Sequence, residues 1–167
     1  MKSDLAVISQ TALSRFSDIA FSNKHRIRRA WLISPWIAYS TEKRDPLSYL
    51  TEALHKCPQT WLITRPPKLV WHENAIKILR ANSSPRPTVL FNEHLHAKLY
   101  LLDCDGFRYA LLGSPNFTPR ADTQNRELAI EFTTTASPRA DKISAVIQEL
   151  VSYAELLLVD PKTELQS

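Results

Sequence analysis

The stretch from His94 to Glu127 limits what this chain can fold into more than any other part of it. Three apolar runs lie in or next to it, Leu99 to Leu102, Tyr109 to Leu112 and Leu128 to Phe132. Each is short enough to be a buried strand rather than a helix. Set among these runs are His94, His96, Lys98, Asp103, Ser114, Asn116 and Glu127. Burying such groups costs free energy unless they are paired, so a chain that places them in sheet core uses them. Side chains at i, i+2 and i+4 of a strand share a face. With Leu95 to Leu102 read as one strand, His94, His96 and Lys98 point one way and Leu95, Ala97 and Leu99 point into the opposite layer. An imidazole beside an ammonium makes a site for an anionic phosphate. Lys98 supplies charge, Asn116 an amide N–H donor and Ser114 a hydroxyl, the kinds of fixed donor that stabilise developing charge. A neutral imidazole is a good nucleophile towards phosphorus, and Glu127 can accept a hydrogen bond from the other ring nitrogen of His96 and so set its tautomer.

His96-Ala97-Lys98, four further residues and Asp103 spell HxKxxxxD; Gly113-Ser114-Pro115-Asn116 spells GSxN; and Asn125-Arg126-Glu127 adds an acidic element downstream. In this order, separated by strand-like runs, these residues resemble the phospholipase D superfamily, and within it the short nucleases that carry a single motif. The resemblance implies that the HxK histidine attacks phosphorus to form a phosphohistidine. A second HxK histidine then protonates the leaving oxygen and activates water, with no metal and no cofactor. It implies a catalytic set of His96, Lys98, Asp103, Ser114, Asn116 and Glu127. His96 is the nucleophile or acid/base, Lys98 and Asn116 bind phosphate, Ser114 supports them and Glu127 orients His96. Asp103 falls on the other face of a straight strand from His96, which gives it a structural role. The remaining histidines are His25, His55, His72 and His94, and none is followed two residues later by Lys. Since the chemistry needs two such histidines, the resemblance implies a two-fold homodimer whose His96 side chains face each other across one pocket.

The rest of the chain reads as strands alternating with helices. Residues 4 to 21 have the apolar spacing of an amphipathic helix, and Ala30 to Ile33 and Thr60 to Thr64 read as strands. Pro46 to Lys56 and Asn74 to Ala81 are helices. Ser83 to Pro87 is a turn, Thr88 to Phe91 a strand, Cys104-Asp105-Gly106 a turn, and Leu128 to Thr133 a strand. Ala140 to Leu158 is a long closing helix, after which a polar tail frays. This alternation predicts an α/β fold, a three-layer α/β/α sandwich with a mixed central sheet, as one domain over residues 1–167. Ligands of open α/β sheets sit beyond strand carboxyl ends. Trp36, Arg65, Lys68, Arg120 and His94 are therefore candidate substrate-binding residues, Trp36 by stacking on a base and the cations by following a phosphate backbone.

The 21 Lys and Arg against 17 Asp and Glu leave a formal charge of +4, which leans towards an anionic partner. The run Lys24-His25-Arg26-Ile27-Arg28-Arg29 reads as a solvated turn or as a phosphate-contacting patch. Only two glycines occur, Gly106 and Gly113, so there is no Gly-rich phosphate loop and no dinucleotide fingerprint. Cys57 and Cys104 make neither a disulfide framework nor a zinc spacing. Nothing approaches the ~20 apolar residues of a membrane span, and no signal-peptide stretch follows Met1 to Leu5. These features predict a cytoplasmic protein with reduced thiols. The leading expectation is a nuclease acting on DNA or RNA, with specificity supplied, where there is any, by a protein partner. A phospholipid phosphodiesterase or phosphatidyltransferase, and a catalytically idle nucleic-acid-binding module, are the alternatives.

Overall fold

The computed structural model describes residues 4–40, 45–135 and 142–165. Its strands are β1 (Asp4–Ile8), β2 (Ile27–Ile33), β3 (Gln59–Thr64), β4 (Thr88–Phe91), β5 (Leu99–Cys104), β6 (Phe107–Gly113), β7 (Ala129–Thr135) and β8 (Glu164–Leu165). Its helices are α1 (Ala12–Ser22), α2 (Pro46–Leu54), α3 (Val70–Ala81), α4 (Pro119–Thr123) and α5 (Lys142–Val159). The strands join in one sheet in the order β1-β7-β6-β5-β2-β3-β4-β8. Parallel β2, β3 and β4 are continued on both sides by antiparallel neighbours, which is the mixed α/β sheet expected.

Strand alternation sorts the apolar side chains onto two faces. Leu32, Leu62, Tyr100, Tyr109 and Leu111 pack beneath Leu13 and Phe16 of α1, Leu47 and Leu50 of α2, and Ile76 and Leu79 of α3. Trp31, Ile33, Ile63, Leu99 and Leu101 pack beneath Ile147, Val151 and Ala154 of α5. Each fully buried Leu or Ile contributes about 1.5–3 kcal/mol, and the two clusters hold helices on both faces of the sheet. Local signals agree with this packing. Asp45 accepts a hydrogen bond from Ser48 N at 3.0 Å and Pro46 opens α2, the pairing of capping side chain and pre-set φ that starts a helix. No helix among the described residues is long and apolar enough to cross a membrane.

Several expectations are corrected. Residues 4 to 21 are not one helix. The alternating run Asp4–Ile8 pairs antiparallel with β7, Thr11 takes a left-handed φ of 53°, and the helix begins only at Ala12. The helix after Pro67 starts at Val70, ahead of Asn74. The tail does not simply fray, because Glu164 and Leu165 pair with Phe91 and Leu90. Ala140 and Asp141 lie outside the described residues, and the closing helix is described from Lys142.

The strand read from Leu95 to Leu102 is shorter at its start. β5 begins at Leu99, and residues 95–98 approach it without regular pairing. Their backbone is held instead by side chains and a turn. His94 N donates to Asn92 Oδ1 at 3.0 Å, Leu95 N to Asn92 O at 3.2 Å, and Arg65 Nε to Leu95 O at 2.9 Å. The facing survives this change. Leu95 and Leu99 are buried with Ala97 against the α5 layer, and His96 is exposed.

Candidate active site

Sheet topology gathers the site. β5, β6 and β7 are consecutive antiparallel neighbours, so the entry to β5, the exit from β6 and the entry to β7 lie at one end of the sheet. β2 runs antiparallel to β5, with Ile33 opposite Leu99, and β3 is parallel to β2. The carboxyl ends of β2 and β3 therefore arrive at the same end. His96 and Lys98 stand at the β5 entry, Ser114 and Asn116 past β6, Glu127 before β7, Trp36 past β2 and Arg65 past β3.

The loop after β6 is pinned from below. Gly113 N donates to Lys98 O at 3.2 Å and Ser114 N to Leu128 O at 2.9 Å. The buried Tyr100 hydroxyl donates to Pro115 O at 2.8 Å, and burial raises that phenol well above its ordinary pKa, keeping it a donor. Ser34, fully buried, donates to Trp36 O at 2.7 Å and accepts from Phe117 N at 3.0 Å, tying the β2 and β6 exits together. Gly113 is required by contact rather than by φ, since a Cβ there would run into the Leu128 carbonyl and Ala129.

The polar side chains form two groups. In the first, Ser114 Oγ donates to Glu127 Oε2 and accepts from Leu128 N at 3.0 Å, while Asn125 Nδ2 donates to Glu127 Oε1 at 3.0 Å. In the second, Arg65 Nη2 lies 2.9 Å from His96 Nε2 and 3.3 Å from Nδ1. The Arg65 guanidinium also stands over the Trp36 ring, 5.6 Å from its centroid, an attractive cation–π geometry. Trp36 in turn packs on Trp71 and His72. Lys98 is half-buried and enters no ion pair among the described residues, which leaves its charge available. Asn116 Oδ1 is buried without a hydrogen-bond partner. An acceptor left so costs about 1–3 kcal/mol, a cost carried here at the centre of the polar loop.

The expected residues divide accordingly. His96, Arg65 and Trp36 come together, as do Ser114 and Glu127. Within the chain Glu127 does not bond His96: its oxygens accept from Ser114 and Asn125, and the side chain against the His96 ring is Arg65. Asp103 is away from the site. It lies towards the far end of β5, where it accepts from Arg29 Nη2 at 2.6 Å and Arg108 Nε at 3.2 Å, and its role there is structural. Lys68 is exposed, 3.9 Å from Glu93. Arg120 is exposed on α4, and its carbonyl anchors Gln124 N and Asn125 N at 2.9 Å each. The His94 side chain is exposed on its turn. The Lys24 to Arg29 run is at the opposite end of β2 from the site. There Arg28 pairs with Asp105, Arg29 with Asp103 and Glu155 and Lys24 with Glu52. Three residues were missed as supports, namely Ser34, Tyr100 and Asn125. Asn125 stood in the motif, but no local signal marks a buried Ser or Tyr as a loop anchor. Among the described residues no three His, Cys, Asp or Glu side chains are grouped to hold a metal ion.

No protein-family model matches the sequence, and no curated protein matches it. Comparison of structures does find similar folds. The chain superposes on Nuc of Salmonella typhimurium, a phospholipase D family member, with a TM-score of 0.71 over 99% of both chains at 12% identity. The chain has the phospholipase D fold. NucT of Helicobacter pylori matches at a TM-score of 0.66 and 13% identity, over 99% of this chain and 100% of that one. A polyphosphate kinase of Porphyromonas gingivalis matches at 0.59 and 14% identity, over 95% of this chain but 23% of its own. On this phospholipase D fold the HxK, GSxN and acidic elements fall at the β5 entry, the β6 exit and the β7 entry, all at one end of the sheet.

Proposed function

We propose that this protein is a metal-independent phosphodiesterase, and specifically a nuclease acting on DNA or RNA. The observation that carries the reading is the convergence of His96, Lys98, Ser114, Asn116 and Glu127 at one end of a phospholipase D sheet. The active unit is a two-fold dimer with two His96 side chains in one pocket. Nε2 of one His96 attacks phosphorus, the P–N bond forms and the bond to the leaving oxygen breaks. The imidazolium of the partner subunit's His96 gives that oxygen its proton. Water then attacks the phosphohistidine, losing a proton to the same imidazole, and the P–N bond breaks to release a phosphate monoester and restore both rings. Lys98 and Asn116 hold the phosphate oxygens, and charge held in place ahead of the reaction stabilises the transition state most. Arg65, Lys68 and Arg120 add positive charge at this end of the sheet, matching a polyanion better than a neutral surface. Trp36 offers a ring beside them.

The test is cleavage of single- and double-stranded DNA and RNA by purified protein in excess EDTA, beside His96→Ala. The expected outcome is cleavage that survives EDTA and is lost in the variant. Cleavage abolished by EDTA would overturn metal independence. Absence of cleavage of every nucleic acid would overturn the nuclease reading and move the assay to phospholipid diesters.

A further inference from the structure

The start of α3 gives up a helix cap for apolar surface beside the site. Its N-cap position is held by Leu69, whose side chain caps nothing, whereas Asp45 caps α2 and Thr118 caps α4. Leucine is among the weakest residues at that position. Leu69, Val70 and Trp71 are three consecutive apolar residues, 49%, 72% and 43% exposed. A contiguous patch of this kind marks a binding surface. It follows the exit of β3, at the end of the sheet that carries His96.

The rings there stand in a fixed row. The Arg65 guanidinium lies against the His96 ring and 5.6 Å from the Trp36 centroid. Trp36 meets Trp71 at 6.2 Å, with the planes tilted by 54°. Fully buried His72 backs both indoles, 5.4 Å from Trp36 and 5.8 Å from Trp71, and is itself held by Thr64 Oγ1 at 3.0 Å from Nε2. Trp71 is thus an open ring on a rigid support, at the outer end of a row that begins at His96. Cations border the row. Arg65 and Lys98 enter no ion pair among the described residues, Lys68 is 3.9 Å from Glu93, and the Glu73 carboxylate in the first turn of α3 is paired by Lys77 at 2.6 Å. Flat apolar rings bordered by positive charge fit a strand of bases and phosphates.

We propose that Trp71 is a base-stacking residue and that, with Trp36, it selects an unpaired strand. The phosphates of the strand follow Arg65 and Lys98 to His96, and a base next along it lies on the Trp71 ring. A base inside a duplex has both faces covered and must first be unstacked and swung out. The inference rests on the proposed function for the place of the strand at His96, whereas the exposure and support of the ring stand without it.

The experiment is binding by fluorescence anisotropy in the His96→Ala background, so that nothing is cleaved. The probes are a labelled single-stranded DNA oligonucleotide, the same oligonucleotide as a duplex, and a single strand of equal length built of abasic sites. His96→Ala is compared with His96→Ala/Trp71→Ala and His96→Ala/Trp71→Phe, and the solution mass of each and cleavage by the wild type are measured alongside. The single strand is expected to bind more tightly than the duplex. Trp71→Ala is expected to weaken single-strand binding about 5- to 100-fold and to leave duplex and abasic binding unchanged, while Trp71→Phe keeps most of the affinity. An equal loss on the abasic strand, or no loss on the base-bearing one, overturns the proposal. So does a change of mass in Trp71→Ala, which would assign the ring to a contact between copies of the chain. The expected binding pattern with no cleavage by the wild type upholds the stacking role and overturns the nuclease reading. Cleavage by the wild type with binding indifferent to Trp71 does the reverse.

Discussion

At the scale of single residues, the site shows how environment assigns chemistry to one residue type. His96 is exposed and faces a guanidinium, whereas His72 is fully buried on the inner face of α3. Thr64 Oγ1 donates to Pro35 O, so it must accept from His72 Nε2, 3.0 Å away, which leaves Nδ1 without a partner. Burial lowers the His72 pKa to about 4, against ~6.5 for an unfolded chain. Between those pH values the unfolded chain binds a proton that the folded one does not, so stability is full above ~6.5 and falls as the pH drops towards 4. His72→Leu is expected to lose this slope. Urea unfolding at about pH 7 and about pH 4.5 should show the wild type losing on the order of 2 kcal/mol more than the variant over that interval. Equal losses would show that His72 is not held neutral.

At the scale of elements, the β6 exit is where backbone geometry and chemistry meet. Ser114 and Asn116 are placed by Gly113, which lets the chain pass against Leu128 and Ala129, and by Ser34 and Tyr100 beneath. Gly113→Ala forces a methyl group into the Leu128 carbonyl. It is expected to destabilise by about 1–3 kcal/mol, the usual cost of overpacking, measured as a lower urea midpoint with unchanged slope. The β6 and β7 ends would part, so activity is expected to fall further than stability. A neutral Gly113→Ala would mean that the two ends are not locked together. A second polar cluster works in the same way, without lying in the site. Glu131 on β7 is bonded by Arg15 Nη2 at 2.8 Å and by the Tyr109 hydroxyl at 2.6 Å. Burial raises its pKa, but these bonds outweigh burial and leave it below the usual carboxylate range. Removing Arg15 leaves the buried Glu131 carboxylate without its counter-charge, which is far more costly than the pair itself is stabilising.

At the scale of the whole molecule, the proposed reaction sets the assembly to be expected. With one HxK histidine per chain, the proposed two-histidine reaction calls for two chains per pocket, and a closed two-fold pair is the simplest solution. The expected outcome of a solution mass measurement at micromolar concentration is a dimer of twice 19.1 kDa. A monomer that still cleaves would overturn the shared pocket.

The sequence by itself determined the fold class and which residues are candidates for phosphate chemistry. Short apolar runs alternating with helical spacings specify an α/β sheet, and the motif residues are legible because they are adjacent or nearly so in the chain. The facing of His96 away from Leu95 and Leu99 was legible for the same local reason. The tertiary structure decided what depends on contacts between distant segments. Asp4–Ile8 is a strand because β7 offers it a ladder, whatever its apolar spacing. β5 starts at Leu99 because Arg65 and Asn92 claim the backbone groups before it. Glu127 bonds Ser114 and Asn125, and Arg65, thirty-one positions from His96, lies against the His96 ring. No local pattern could show that arrangement, since it follows from the exits of two parallel strands and the entry of an antiparallel third meeting at one end of the sheet.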